Sequence, residues 1–201
     1  GPVSGAHMNP AVSLVAAWRG ELSWKDCGAY VGDTVEALAT WGPGPGARVV
    51  ALEPDPASFL HLTKVAAEHP DLNVCCVQAA AGASNGNIGF VSLGNEASRV
   101  AAPGEGEESV RMVTVDTALA ECGVRASYIK YDVEGFERDA LAGSSEAILR
   151  DHAALAVSVY HRPNDLWDLL LMLDEIEPSY AFHLREHGPD GVDTVLYALP
   201  A

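Results

Sequence analysis

Basic side chains are scarce in this chain: 12 Lys and Arg stand against 28 Asp and Glu, for a formal net charge of −16. Such a surface repels a phosphate backbone, and no dense Lys/Arg stripe offsets it, so nucleic acid is excluded as an expected partner. Long apolar runs are also missing. None approaches the roughly 20 residues that cross a bilayer as a helix, so no membrane partner is expected. The four cysteines, Cys27, Cys75, Cys76 and Cys122, show neither a C-x-x-C pair nor the dense spacing of a disulfide framework. With no secretory signal, the cytoplasm is the expected compartment. What is present suits a packed globule: 201 residues, 48% hydrophobic, with a mean hydropathy of +0.07. That length accommodates one α/β domain with a sizeable core. Residues 1–7 (GPVSGAH) read as a tag remnant ahead of Met8, leaving 8–201 as a single domain.

Strand and helix patterns alternate along that domain. Pro10 to Arg19 has near-helical apolar spacing behind an N1 proline and reads as a short leading helix. Leu22 to Cys27 reads as a strand and Asp33 to Trp41 as a helix. Arg48 to Leu52 (RVVAL) has the β-branched, apolar character of a strand buried on both faces. A helix over Pro56 to Glu68 and a strand over Asn73 to Gln78 follow. Between Ala81 and Val115 short extended pieces, Ile88 to Ser92 and Ser109 to Val115, suggest an inserted β-hairpin region, with Gly104 to Glu108 as its solvated loop. Alternation resumes with Tyr128 to Asp132, Phe136 to Leu149, Ala154 to Tyr160 and Leu166 to Ile176. Tyr180 to Arg185 and Thr194 to Leu199 are too close in sequence for a crossover helix and form an antiparallel C-terminal hairpin. The fold class is therefore α/β, Rossmann-like, with a mostly parallel central sheet.

Two strand-to-helix junctions carry the chemistry. In the first, Asp26 to Thr34 (DCGAYVGDT), Gly28 and Gly32 bring backbone close to a ligand at a helix N-terminus. The dinucleotide pattern G-x-G-x-x-G needs a glycine at Tyr30, so a pyrophosphate cradle is disfavoured. Glu53 ends the next strand some 20 residues after that turn, where a carboxylate accepts hydrogen bonds from both hydroxyls of a ribose. A nucleoside without phosphates fits both features. The second junction, Ile129 to Glu137 (IKYDVEGFE), again passes through carboxylates and a glycine into a helix. Ligands of open α/β sheets bind at the carboxyl ends of the strands, so Asp132 and Glu134 should share a crevice with Gly28 and Glu53. Glu137 reads as the cap of the following helix.

These stretches resemble the FkbM-type methyltransferase family, most specifically Tyr128 to Ile148 (YIKYDVEGFERDALAGSSEAI), with Asp26 to Thr34 and Val49 to Pro56 (VVALEPDP) upstream. The resemblance implies the class I methyltransferase fold and S-adenosyl-L-methionine as cofactor. By it, Asp26, Gly28 and Gly32 line the methionine part, Glu53 the ribose, and Gln78, Ala79 and Ala80 the adenine, with Ala29 and Thr34 also in the cofactor-binding set. Ser98 and Asp132 join that set, and the Val115-Asp116 turn is a family feature. Cys27 and Lys25 depart from the family's usual aliphatic strand without removing a ligand contact.

An oxygen nucleophile must lose its proton, and carboxylates favour a sulfonium cation. His161 follows the predicted strand VSVY into the same crevice and titrates near neutrality, which suits a general base alongside Asp132 and Glu134. The same three, Asp132, Glu134 and His161, are also the ligand types of a divalent cation, although their spacing specifies none. The expected activity is O-methylation of a hydroxyl on a small-molecule acceptor, a sugar or another metabolite. A homodimer that completes the acceptor pocket is compatible with this. The alternatives are a non-catalytic nucleoside-binding module and a nicotinamide-dependent oxidoreductase; the latter lacks the glycine fingerprint and a Tyr-x-x-x-Lys pair.

Overall fold

The structure is a computed structural model that describes residues 12–17, 35, 38–39, 47–91, 99–100, 108–188, 191 and 193–201. Strands β1 (Val12–Ala17), β2 (Arg48–Leu52), β3 (Val74–Val77), β8 (Tyr128–Asp132), β9 (Ala154–Ser158), β10 (Tyr180–Glu186) and β11 (Thr194–Pro200) form a seven-stranded sheet in the order β10-β11-β9-β8-β1-β2-β3. A second sheet, β4-β7-β5-β6, gathers β4 (Ala80–Ala81), β5 (Gly86–Val91), β6 (Arg99–Val100) and β7 (Glu108–Val113). The antiparallel pairing of β5 with β7 is the inserted hairpin expected from the sequence.

Helices α1 (Pro56–Glu68), α2 (Val115–Cys122), α3 (Glu137–Ala142), α4 (Ser145–Asp151) and α5 (Asp165–Ile176) flank the seven-stranded sheet. Alternation along β2 shows why helices are needed on both sides. Val50 and Leu52 join a cluster with Leu119, Ile129, Leu141, Leu155 and Leu169, while Val49 and Ala51 join another with Val35, Leu38, Leu62 and Val65. Side chains one residue apart thus enter opposite core layers, which is the physical meaning of the unbroken apolar run RVVAL.

Several expectations change. Val12–Ala17 is strand, not helix: a short apolar run is ambiguous by periodicity, and here it pairs with β2 on one side and β8 on the other. Both pairings are antiparallel, so the central sheet is mixed rather than mostly parallel between neighbours. Only β2 with β3 and β8 with β9 are parallel pairs, although β2, β3, β8, β9 and β10 all point the same way. The single helix expected over Phe136 to Leu149 is two, α3 and α4, broken at Gly143 and Ser144. A Cβ on Gly143 would lie 2.1 Å from the Gly82 carbonyl oxygen, so close packing against the second sheet interrupts the helix there.

The interval between β7 and β8 contains α2, which the sequence reading left unassigned. Thr114 caps it by accepting from the Thr117 N–H (3.0 Å), and Gly123 closes it in the left-handed conformation. Cys75 of β3 and Cys122 at the end of α2 are disulfide-bonded across 47 residues of sequence. Spacing rules cannot see such a pair, because its partners sit on elements that only the fold brings together. It also runs against the reduced thiols that a cytoplasmic protein ordinarily keeps. No helix among the described residues is long and apolar enough to cross a membrane.

Candidate active site

Strands β8 and β9 are parallel neighbours, with Tyr131 level with Val157, so their carboxyl ends finish side by side. From these ends come Asp132 and Ser158, and from the segments just beyond come Glu134, Glu137, Tyr160 and His161. After Asp132 the chain reverses through Glu134 (φ 51°) and Gly135 (φ 87°), and the Phe136 N–H donates to the Val133 carbonyl (3.1 Å). Glycine suits position 135 because its φ lies in the left-handed region; a Cβ there would also stand 3.1 Å from Nε of the Arg162 side chain, which would have to give by a few tenths of an ångström. Glu134 adopts the same left-handed region with a full side chain, a local strain of the kind that clusters at functional sites.

Asp132 is 3% exposed and is held on both oxygens. Ser158 Oγ donates to Oδ1 (3.0 Å), the Tyr160 hydroxyl lies 3.4 Å from the same oxygen, and the buried Lys130 ammonium is 3.3 Å from Oδ2. His161 is fixed from its other side. Its Nδ1 is 2.7 Å from Glu137 Oε1, which also accepts the Val133 N–H (2.9 Å). An ionised carboxylate only accepts, so Nδ1 carries the hydrogen and the lone pair of the neutral ring is on Nε2. That Nε2 is buried without a hydrogen-bond partner, 3.7 Å from Asp132 Oδ1 and 3.7 Å from Glu134 Oε2. Burial pulls the His161 pKa down, but the hydrogen bond to Glu137 and the charges of Glu137, Asp132 and Glu134 outweigh it and raise it to about 8. Burial and the surrounding carboxylates push the Tyr160 phenol upward, so it stays a donor.

Glu53 lies on the far side of β1, yet at the same edge. Ser13 of β1 is level with Leu52 on one side and Tyr131 on the other, so Glu53 and Asp132 follow equivalent positions two strand spacings apart, roughly 10 Å. Glu53 is fully buried, and Oε1 accepts the Asp55 N–H (2.8 Å) while Oε2 has no hydrogen-bond partner. Burial raises its pKa to about 8, the Asp55 N–H opposing and the Asp55 charge adding to the shift. The Glu53 N–H donates to the Val77 carbonyl (3.1 Å), which puts Gln78, Ala79 and Ala80 at the adjoining strand end, Gln78 exposed and the alanines buried.

The structure thus brings Asp132, Glu134 and His161 together and sets Glu53 and residues 78–80 at the same sheet edge. Asp26, Gly28, Ala29, Gly32, Thr34 and Ser98 lie outside the described residues. Asp116 belongs to packing: its carboxylate accepts the Ala147 (2.8 Å) and Glu146 (3.2 Å) N–H groups at the start of α4. Glu137 was underread. It is the first residue of α3 and 1% exposed, and it receives the N–H of the preceding turn and the imidazole rather than capping its own helix. Its position one helical turn beyond Glu134 was the available signal. Lys130 and Ser158, which hold Asp132, were not singled out either; both sit on the Asp132 side of alternating strands.

The methyltransferase FkbM domain matches residues 26–187. The chain belongs to this family. The FkbM span takes in residues 26–34, Glu53 and the whole Asp132, Glu137 and His161 cluster. Among solved structures, the methyltransferase FkbM from Methylobacillus flagellatus KT aligns with a TM-score of 0.67 and 30% identity, over 86% of this chain and 42% of that one. A further similarity covers 31 residues at 68% identity, 15% of this chain and 13% of the aquaglyceroporin AqpS of Rhizobium meliloti (strain 1021). The chain therefore spans less than half the length of either relative.

Proposed function

We propose that this FkbM-family chain is an S-adenosylmethionine-dependent O-methyltransferase acting on a hydroxyl of a small molecule, a sugar or another metabolite. The observation that carries this reading is the buried Glu53 Oε2. It lacks a donor among the described residues and lies at the same sheet edge as the carboxylate and histidine cluster, as a nucleoside cofactor bridging the two sites requires.

The residues fit that cofactor. A ribose diol supplies the donor that Glu53 Oε2 lacks, residues 78–80 adjoin it for the base, and Asp132 and Glu134 favour the positive sulfonium. When bound, S-adenosylmethionine supplies an electrophilic methyl carbon. The chain must then align the acceptor oxygen with the carbon–sulfur bond and take up the hydroxyl proton. The sulfur of the bound cofactor would keep the bond pair, leaving one hydroxyl proton for Asp132, Glu134 and His161 to take up. Asp132, Glu134 and His161 are placed to activate the hydroxyl, and their convergence favours catalysis over a pocket that only binds.

Calorimetric titration with S-adenosylhomocysteine, in parallel with NAD, tests the reading. Micromolar binding of S-adenosylhomocysteine alone is expected. Silence there with a signal for NAD would sink it.

A further inference from the structure

We propose that the adjoining ends of β8 and β9 hold a divalent cation, with His161 Nε2, Asp132 Oδ1 and Glu134 Oε2 as its protein ligand atoms. The starting point is the nitrogen. The His161 side chain is 8% exposed and Glu137 holds Nδ1, so Nε2 points at two carboxylate oxygens without a hydrogen-bond partner among the described residues. Electron-rich atoms do not gather in a buried site unless positive charge lies between them.

A proton on Nε2 does not meet that need well. Its acceptors stand at 3.7 Å, beyond the reach of a good N–H···O bond. An ion does. Ligand atoms about 2.1 Å from a common cation stand roughly 3 to 4 Å from each other, which brackets the 3.7 Å from Nε2 to each of the two carboxylate oxygens. The ligand atoms offered by Asp132, Glu137 and His161 all lie within 4.8 Å of one another, and Glu137 Oε2 is a second buried oxygen without a hydrogen-bond partner.

The surroundings are those of a metal site. A carboxylate on the far nitrogen of a ligating histidine fixes its tautomer and raises its donor strength, which is the relation of Glu137 to Nδ1. Ser158 Oγ steadies Asp132 Oδ1, and Lys130 occupies Oδ2, leaving a one-oxygen contact for the ion. One imidazole nitrogen with carboxylate oxygens suits Mn²⁺ or Zn²⁺ better than Ca²⁺, which prefers oxygen alone. The chemical role rests on the methyltransferase reading: the cation binds the acceptor hydroxyl and lowers its pKa, so that its proton leaves before or during methyl transfer.

The test uses the full chain freed of metal by chelator and dialysis. Mn²⁺ is titrated by the loss of its free paramagnetic resonance signal, and Zn²⁺ by calorimetry. One saturable ion per chain is expected, with affinity at least tenfold weaker in His161→Gln and in Glu134→Gln; the Glu134 side chain is 21% exposed, more than the other carboxylates of the cluster, and circular dichroism verifies that the second variant is folded. Absence of saturable binding of either ion, or equal affinity in both variants, would overturn the site. S-adenosylhomocysteine is titrated on the same samples. Cation binding without it supports the site and defeats the methyltransferase reading, whereas S-adenosylhomocysteine binding without a cation overturns only the site and makes His161 Nε2 the proton acceptor.

Discussion

Glu137 Oε1 lies 2.7 Å from His161 Nδ1 and 2.9 Å from the Val133 backbone nitrogen, so one buried carboxylate fixes both the imidazole and the turn that carries Glu134. The base of α3 thereby sets which nitrogen of His161 faces the crevice.

Glu137→Gln keeps the shape and removes the charge. Cation affinity, and turnover once an acceptor is known, should fall by about 10- to 100-fold, as for other carboxylates that hold a ligating histidine. S-adenosylhomocysteine affinity should stay within about twofold, because Glu53 is not disturbed. Calorimetry with both ligands checks this. Equal loss of both would mean that Glu137 only supports the fold.

Glu53→Ala should weaken S-adenosylhomocysteine binding by about 2–3 kcal/mol, the value of two hydrogen bonds to a charged acceptor. The pH dependence has a definite sign. Burial holds this carboxyl protonated up to about pH 8, whereas hydroxyl donors from a ribose favour its ionised form. Binding below pH 8 should therefore release protons and tighten as pH rises, levelling off above 8. Titrations in buffers of different ionisation enthalpy measure the release; no difference between buffers would remove Glu53 from the ribose site. For the unliganded protein, the native state keeps a proton that the unfolded chain loses near pH 4.5. The associated stability is fully present below 4.5 and is lost as pH rises to about 8. Glu53→Gln should flatten that slope in urea titrations.

The sequence made the sheet edge legible because its signals are local. RVVAL is unambiguous as a doubly buried strand, and Glu53 and Asp132 stand where strand ends place ligand groups. Glu137 was missed for a physical reason. An acidic residue in the first turn of a helix has a sufficient local explanation, and only the three-dimensional adjacency of β8 and β9 brings His161 against it. The strand Val12–Ala17 was missed because a six-residue, mainly apolar segment fits either period, and two neighbouring strands decided between them. Cys75 and Cys122 escaped for the same kind of reason, their pairing being a property of the fold rather than of spacing.

Gly143 and Gly123 make a controlled comparison. A Cβ on Gly143 meets the Gly82 backbone oxygen at 2.1 Å, which nothing flexible can relieve, so Gly143→Ala should cost at least about 2–3 kcal/mol. Gly123 has open space and φ +62°, so Gly123→Ala should cost only about 1 kcal/mol of left-handed strain. Urea unfolding midpoints rank the two. A reversed order would mean that α3 and α4 do not break against the second sheet.

The Cys75–Cys122 bond ties β3 to the end of α2 and closes a loop of 47 residues in sequence separation. Loop-closure entropy puts its contribution at up to about 4 kcal/mol. Cys75 is two residues before Val77, whose carbonyl accepts the Glu53 N–H, so loosening β3 should be felt at Glu53. Reduction, or Cys122→Ser, should therefore lower Tm by several degrees and weaken S-adenosylhomocysteine binding modestly, while leaving the His161 cluster on β8 and β9 intact. Thermal unfolding with and without reductant, with mass mapping of the linked peptides, decides the matter. A Tm indifferent to reductant, with Cys75 and Cys122 recovered as thiols, would show that the two remain reduced, as the expected cytoplasmic setting requires.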